Sequence, residues 1–287
     1  WDRQHEYLRE AGLTRGPKSW LMRALLHYLR GWDSHSANGV DRLIANSQFV
    51  ARRMMKTYRR DAAVIPPPVN VDEFELCTHK EEFYLTASRM VPYKRIDLIV
   101  ETFSATPHRK LIVIGDGPEM AAIRAKAGPN VTILGYQPVG VLKNYLQRAR
   151  AFVFAAEEDF GIVTLEAQAC GTPVIAFGKG GSLETVVPVG DAHPTGIYFG
   201  SQTVASMLDA IDRFERQHEQ ITPAACRANA ERFSAAVFRR AFMAEVTRTI
   251  ASEHLRGESA TVQRIDAERL AEPAGWPVEP APQSSCG

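Results

Sequence analysis

The sequence predicts an α/β fold, a doubly wound parallel sheet with helices on both faces. From Phe83 to Phe199, short apolar runs alternate with segments of helical period. The runs are continuously apolar, as in Leu111-Ile-Val-Ile114 and Ala151-Phe-Val-Phe-Ala155, which marks strands buried on both faces. Several runs end in glycine or acidic residues and restart as helix formers, the punctuation of strand-to-helix turns. Right-handed crossovers between parallel strands then wind the sheet from both sides.

Each element has its own signal. Pro17 to Trp32 reads as an amphipathic helix, with Leu21, Leu25, Tyr28 and Trp32 at helical spacing and Lys18, Arg23 and Arg30 marking another face. Such a stripe usually packs on its own protein, and a basic amphipathic helix also suits peripheral contact with a membrane. Asp41 to Ala45 reads as a strand, Asn46-Ser47 as a helix cap and Phe49 to Tyr58 as the helix it starts. The passage Val64-Ile-Pro-Pro-Pro-Val69 can hold no helix and reads as an interdomain connection.

Strands are then expected at Phe83–Ser88, Lys110–Ile114, Val131–Leu134, Ala151–Ala155, Pro173–Phe177 and Gly196–Phe199. Helices are expected at Arg95–Phe103, Glu119–Ala127, Val139–Arg148, Gly161–Cys170 and Leu183–Val187. Helices follow at Val204–Phe214, Pro223–Phe233 and Ala235 to Leu255. Beyond Arg256, four prolines and few large apolar residues predict a disordered tail. The domain expectation is a remnant of an earlier domain at 1–61, a ligand-binding domain at 62–215, C-terminal helices at 216–255 and the tail at 256–287. The chain opens at Trp1 with no strand for its first helix to rest on, so the expectation is a piece of a longer protein.

Bulk properties remove several classes. Net charge is +1, which gives no global pull toward nucleic acid. No apolar run approaches the roughly 18 residues a membrane span needs. The polar opening Trp1-Asp-Arg-Gln-His-Glu does not read as a signal peptide, and none is expected. Cys77, Cys170, Cys226 and Cys286 lack C-x-x-C spacing, so neither a metal site nor a disulfide framework is expected and a reducing cytoplasm fits.

The most informative spacing is that of Glu158 and Glu166 in Glu158-Asp-Phe-Gly-Ile-Val-Thr-Leu-Glu166. The first acid falls in a turn at the carboxyl end of a strand, where ligands bind in open parallel sheets, and the second lies about one and a half helical turns in. The acids also suit an ordinary helix N-terminus. Arg89 and Lys94 flank a loop at the same sheet edge and suit a diphosphate, one by a bidentate fork and one as a compact charge. Gly115-Asp-Gly117-Pro nearly spells a dinucleotide fingerprint, but Met120 stands at the third glycine and no acid ends the next strand. A nicotinamide-dependent oxidoreductase is thereby disfavoured, and a tight turn explains these glycines as well as a nucleotide does. Gly178-Lys-Gly-Gly-Ser182 reads first as a turn and second as an anion-receiving helix start.

Together these segments resemble the retaining glycosyltransferases of GT-B family 4. The likeness rests on Ala87-Ser-Arg-Met-Val-Pro-Tyr-Lys-Arg-Ile-Asp97, Ile114-Gly-Asp-Gly-Pro-Glu119, Leu134-Gly-Tyr136, Glu157-Glu-Asp-Phe-Gly-Ile-Val-Thr-Leu-Glu-Ala167, Gly171-Thr-Pro-Val174 and Gly180-Gly-Ser-Leu-Glu184. Its wording is nearest to bacterial mannosyltransferases of surface polysaccharide synthesis. The resemblance implies the Rossmann-like donor-binding half, with the acceptor-side domain mostly missing. It implies that Arg89 and Lys94 neutralise the leaving diphosphate, Glu166 holds the ribose and Glu158 faces the sugar. It places the amides of Phe160, Gly161 and Ile162 on sugar or phosphate, and Gly115, Gly135 and Tyr136 around the base.

The implied donor is a nucleotide sugar, GDP-mannose ahead of a UDP-sugar, with no cofactor or metal, and the chain contains no D-x-D motif. The implied acceptor is a glycan or lipid-linked glycan at the inner face of the membrane. A nucleotide-sugar epimerase and a non-catalytic binding module are the alternatives, and the fragment alone is expected to bind even if it does not turn over.

Overall fold

The computed structural model describes residues 8–9 and 12–252. The chain divides into two units, Trp1–Phe242 and Met243–Gly287. In the second, the described residues 243–252 are helical. The tail expected at 256–287 lies outside the described residues.

The first unit opens with α1 (Pro17–Asn38), β1 (Leu43–Ala45), α2 (Gln48–Tyr58) and β2 (Ala62–Val64). Helix α1 runs six residues past the expected end at Trp32, to the turn at Gly39. Its apolar stripe stays open, with Leu21 69% and Trp32 61% exposed. Ser47 caps α2 by accepting from the Val50 amide, as the Asn46-Ser47 pair predicts. Strand β2 was not expected: three residues carry no readable period, and β1 supplies the parallel partner that makes them a strand, from Leu43↔Ala62 to Ala45↔Val64.

A six-stranded parallel sheet follows, made of β3 (Phe83–Ala87), β4 (Lys110–Ile114), β5 (Val131–Gly135), β6 (Ala151–Phe154), β7 (Val174–Phe177) and β8 (Gly196–Phe199). Its order is β5-β4-β3-β6-β7-β8. The chain builds outward from β3 to β5, returns to lay β6 on the free edge of β3, and builds outward the other way. The intervening helices are α3 (Ile96–Ser104), α4 (Met120–Lys126), α5 (Val139–Arg148), α6 (Ile162–Ala169) and α7 (Ser182–Thr185), with α8 (Val204–Gln217) and α9 (Pro223–Glu231) after β8. This is the doubly wound α/β architecture the apolar runs predict. Helix α7 stops short of the expected Val187, because the Val187 amide donates to Thr195 Oγ1 and its carbonyl accepts from the Thr195 amide.

Period-two alternation divides the core into two layers. Tyr84, Val153 and Phe199 face one side with Ile99, Phe103 and Phe214. Leu85, Phe152 and Phe154 face the other with Leu146, Leu165 and Val174. Behind the first layer, Arg109 donates through Nε and Nη2 to Glu215 (3.0 and 2.6 Å) and pairs with Asp212, while the Tyr84 hydroxyl donates to Glu215 at 2.8 Å. That network ties β3 and the start of β4 to α8 on the side away from the ligand edge. Phe152 is fully buried, so Phe152→Ala should cost about 3–5 kcal/mol through lost burial plus a cavity, measured by urea unfolding.

Candidate functional site

The reversal of strand order places the loops after β3 and β6 side by side. The pairing Tyr84↔Ala151 and Leu85↔Phe152 fixes their relative height. After β3, Pro92–Lys94 form a single 3-10 turn ended by Arg95 in the left-handed region at φ 54°. That conformation costs a non-glycine residue about 1–2 kcal/mol, and here it turns the chain into α3 with Lys94 above the sheet edge. After β6, Ala155 and Ala156 remain buried and Glu157 begins the turn into α6.

These loops bound a cavity of about 820 Å³. Ser88, Arg89 and Lys94 line it from the first loop, and Glu157 to Val163 line it from the second. A second cavity of about 500 Å³ is lined by Gly115, Asp116, Tyr136, Gln137 and Leu142, and it shares Ala87, Ser88, Arg89 and Val163 with the first. The two therefore form one cleft with two lobes, meeting at Arg89.

Lys94 and Glu158 form an ion pair in the first lobe, each side chain only 17% exposed. Burial pulls the Lys94 ammonium down to about 8. At the start of α6 the Thr164 amide donates to Gly161 O, whereas the amides of Ile162 and Val163 have no acceptor among the described residues. Two bare amides at a helix N-terminus beside two cations suit an anionic ligand.

Glu166 lies on α6 one turn past Val163 and lines neither lobe. It is half-buried, and burial raises its carboxyl above the ordinary range, opposed by Lys143 and reinforced by Glu73. Lys143 in turn pairs with Glu73 at 2.8 Å. The two acids of the spacing thus occupy different environments, one in the first lobe and one outside both lobes.

The structure brings Arg89, Lys94, Glu158, Phe160, Gly161 and Ile162 to the first lobe, and Gly115 and Tyr136 to the second. Phe160 contributes backbone there, since its ring is buried and packs edge-on against Phe233. Gly135 closes β5 beside Tyr136, and its carbonyl accepts from the Gly115 amide at 2.8 Å. Gly115 has φ 132°, and a Cβ there would sit 1.9 Å from Ser88 O. Its close approach is to the protein's own β3 loop, the tight-turn reading of this motif. Gly181 likewise presses on the β6 loop: a Cβ would lie 2.3 Å from Phe160 Cα, and its amide donates to Glu158 O at 2.8 Å. The turn reading of Gly178–Ser182 therefore holds.

Sequence reasoning missed a whole wall. Asn46, Phe49 and Arg53 of the α2 region line the first lobe. Arg53 donates to Asp159 at 2.6 Å and lies over the Phe49 ring. The Glu184 carboxylate accepts from the Gln48 and Phe49 amides at 2.8 and 3.0 Å, so the start of α2 is already capped. The Asn46-Ser47 cap signals a helix, but nothing local says which distant loop it meets. Among the described residues no group of three or more His, Cys, Asp or Glu is placed to hold a metal ion.

Comparison with known proteins agrees with this geometry. Residues 71–233 match the family described as glycosyl transferases group 1, and this chain belongs to that family. It is 32% identical over 169 residues to a D-inositol 3-phosphate glycosyltransferase of Segniliparus rotundus, covering 49% of this chain and 38% of that protein. It is 32% identical over 180 residues to a GDP-mannose-dependent monoacylated alpha-(1-6)-phosphatidylinositol monomannoside mannosyltransferase of Corynebacterium glutamicum, covering 52% and 47%. The chain thus spans less than half the length of either relative. In fold it matches S. aureus TarM, solved with fondaparinux, alpha-GlcNAc-glycerol and UDP, with TM-score 0.64 and 19% identity over 74% of this chain and 45% of that one.

An anion gripped by Lys94 must hold the ammonium protonated, so affinity is lost as pH rises through about 8. Pyrophosphate affinity, measured by calorimetry, should fall by about tenfold between pH 7 and pH 9.5, and Lys94→Met should bind weakly with little pH dependence over that range.

Proposed function

We propose that the parent protein is a retaining glycosyltransferase that moves a hexose, mannose, from GDP-mannose to a glycan or lipid-linked acceptor, and that this chain carries its donor-binding part. One observation carries the reading: Arg89, Lys94 and Glu158 converge in a two-lobed cleft at the point where the sheet reverses its strand order. The family membership gives the reaction class, and the mannose and GDP follow the name of the C. glutamicum relative. In this reading residues 62–215 form the donor domain, and residues 1–61 belong to the acceptor-side domain of the longer protein.

The roles follow from charge. A departing nucleoside diphosphate gathers negative charge on its terminal phosphate. Arg89 at the junction of the lobes, Lys94 and the bare amides of Ile162 and Val163 stabilise it without moving, which is where electrostatic catalysis gains most. Glu158 faces the sugar and is released to it as the diphosphate competes for Lys94. The second lobe takes the nucleoside, with Tyr136 and the Gly115 turn at the base. Glu166 receives the ribose hydroxyls one helical turn past Val163, and hydrogen bonds donated by those hydroxyls favour its ionised form against the upward pull of burial.

Retention without a covalent intermediate would proceed on the front face, with the leaving phosphate assisting the incoming hydroxyl. The work site is the cytoplasmic face of the membrane, where lipid-linked acceptors present their head groups. The exposed aromatic stripe of α1 is compatible with that location, and no described helix is long and apolar enough to cross a membrane.

A thermal-shift panel of GDP-, UDP- and ADP-sugars on the full-length protein tests the donor, since a bound ligand raises the melting temperature by mass action. GDP-mannose should give the largest shift. In the same protein, Glu166→Ala should weaken donor binding about 10- to 100-fold, the loss of charge-assisted hydrogen bonds, and unchanged calorimetric affinity would remove Glu166 from the site. Arg89→Ala should lower transfer by about 10²-fold while the fold stays intact by circular dichroism.

A further inference from the structure

Beneath the loop that carries Glu158 lies a set of buried, mutually hydrogen-bonded polar side chains. Thr164, Gln168 and Thr185 are 0% exposed and Asn229 is 6% exposed. The Thr164 hydroxyl donates to Gly161 O at 2.7 Å and lies 3.2 Å from the Thr185 hydroxyl, which in turn lies 3.2 Å from Gly181 O. Gln168 Nε2 donates to Thr164 O and Thr185 O at 3.1 and 2.8 Å. Asn229 Nδ2 donates to Gln168 Oε1 and Thr185 O at 2.7 and 2.9 Å, and Arg232 closes the set by donating to Asn229 Oδ1 at 2.8 Å.

The destinations of these bonds are informative. They fall on Gly161 O at the start of α6, on Gly181 O at the start of α7 and on Thr185 O at its end. Those two helix starts grip the turn 158–161 between them, Gly161 by continuing it and Gly181 by donating its amide to the Glu158 carbonyl at 2.8 Å. Apolar groups of the same volume often serve stability as well as buried polar ones, and in some proteins a buried polar network instead specifies one geometry. Small displacements of that turn would misplace Glu158 and the Ile162 amide together.

We propose that this network positions the sugar-side loop of the cleft, and that Thr164 is the positioning residue through which it acts. The inference rests on the glycosyltransferase reading above and adds to it a division of labour. The diphosphate is held chiefly by Arg89 and Lys94 on the other loop, with the Ile162 amide as a lesser contact, so loss of the Thr164 hydroxyl weakens recognition of the sugar more than recognition of the free nucleoside diphosphate.

The test compares Thr164→Val, which keeps the shape and removes the hydroxyl, with Thr164→Ser, which restores it, in the full-length protein. GDP and GDP-mannose affinities are measured by calorimetry and transfer by product formation. Thr164→Val should lose about tenfold or more in GDP-mannose affinity or in kcat while GDP affinity falls by no more than about threefold, and Thr164→Ser should recover most of the loss. Equal effects on both ligands, no effect on either, or a failed rescue would overturn the positioning role. Should Thr164→Val not fold, Thr185→Val breaks the same network and is judged by the same comparison. If the unmodified protein binds neither GDP nor GDP-mannose nor any of the panel sugars, the glycosyltransferase reading itself falls, and the inference with it.

Discussion

The hydrogen-bonded pairing of β3 with β6 is the constraint from which the site follows. Strands adjacent in the sheet but far apart in sequence bring their following loops within reach of one another. Here the pair Leu85↔Phe152 sets the loops carrying Lys94 and Glu158 at the same level. Without that neighbour relation the cation and the acid would be unrelated surface charges. With it they become a partly buried ion pair, which a low-dielectric setting makes both strong and sensitive to any competing charge.

Close backbone packing carries the arrangement outward from the strands. The β4 loop rests on the β3 loop because Gly115 has no side chain, and the β6 turn rests on the Gly180-Gly181 turn for the same reason. The glycines in the motifs are thus explained by protein–protein backbone contact before any ligand is considered. Their effect on a ligand is indirect: they bring the edges of the cleft close enough for a single extended molecule to touch both lobes. Glu184 shows the same economy, capping α2 across 136 positions of sequence and thereby fastening Phe49 and Arg53 to the wall of the first lobe.

Most strands and long helices were legible because a two-sided buried strand and a 3.6-residue period leave marks in composition that tertiary contacts rarely override. Lys110–Ile114, Val139–Arg148 and Gly196–Phe199 coincide with expectation at both ends. What escaped were pieces whose identity depends on a partner: β2, a strand only because β1 lies beside it, and α7, whose end is fixed by Thr195. The site was half legible for the same reason. Arg89, Lys94 and Glu158 stand at strand ends and are marked by position, whereas Asn46, Phe49 and Arg53 belong to the cleft only through a long-range contact.

The amino-acid sequence by itself determined the order of elements, the edge of the sheet on which ligands gather and the residue types available there, since periodicity and turn chemistry are local properties of the chain. Tertiary structure alone decided that Lys94 meets Glu158, that Arg53 meets Asp159, and that Glu166 lies outside both lobes rather than in the lobe with Glu158. The physical reason is that pairing register and packing are set by the sum of many contacts between distant segments, and no single segment encodes its neighbour.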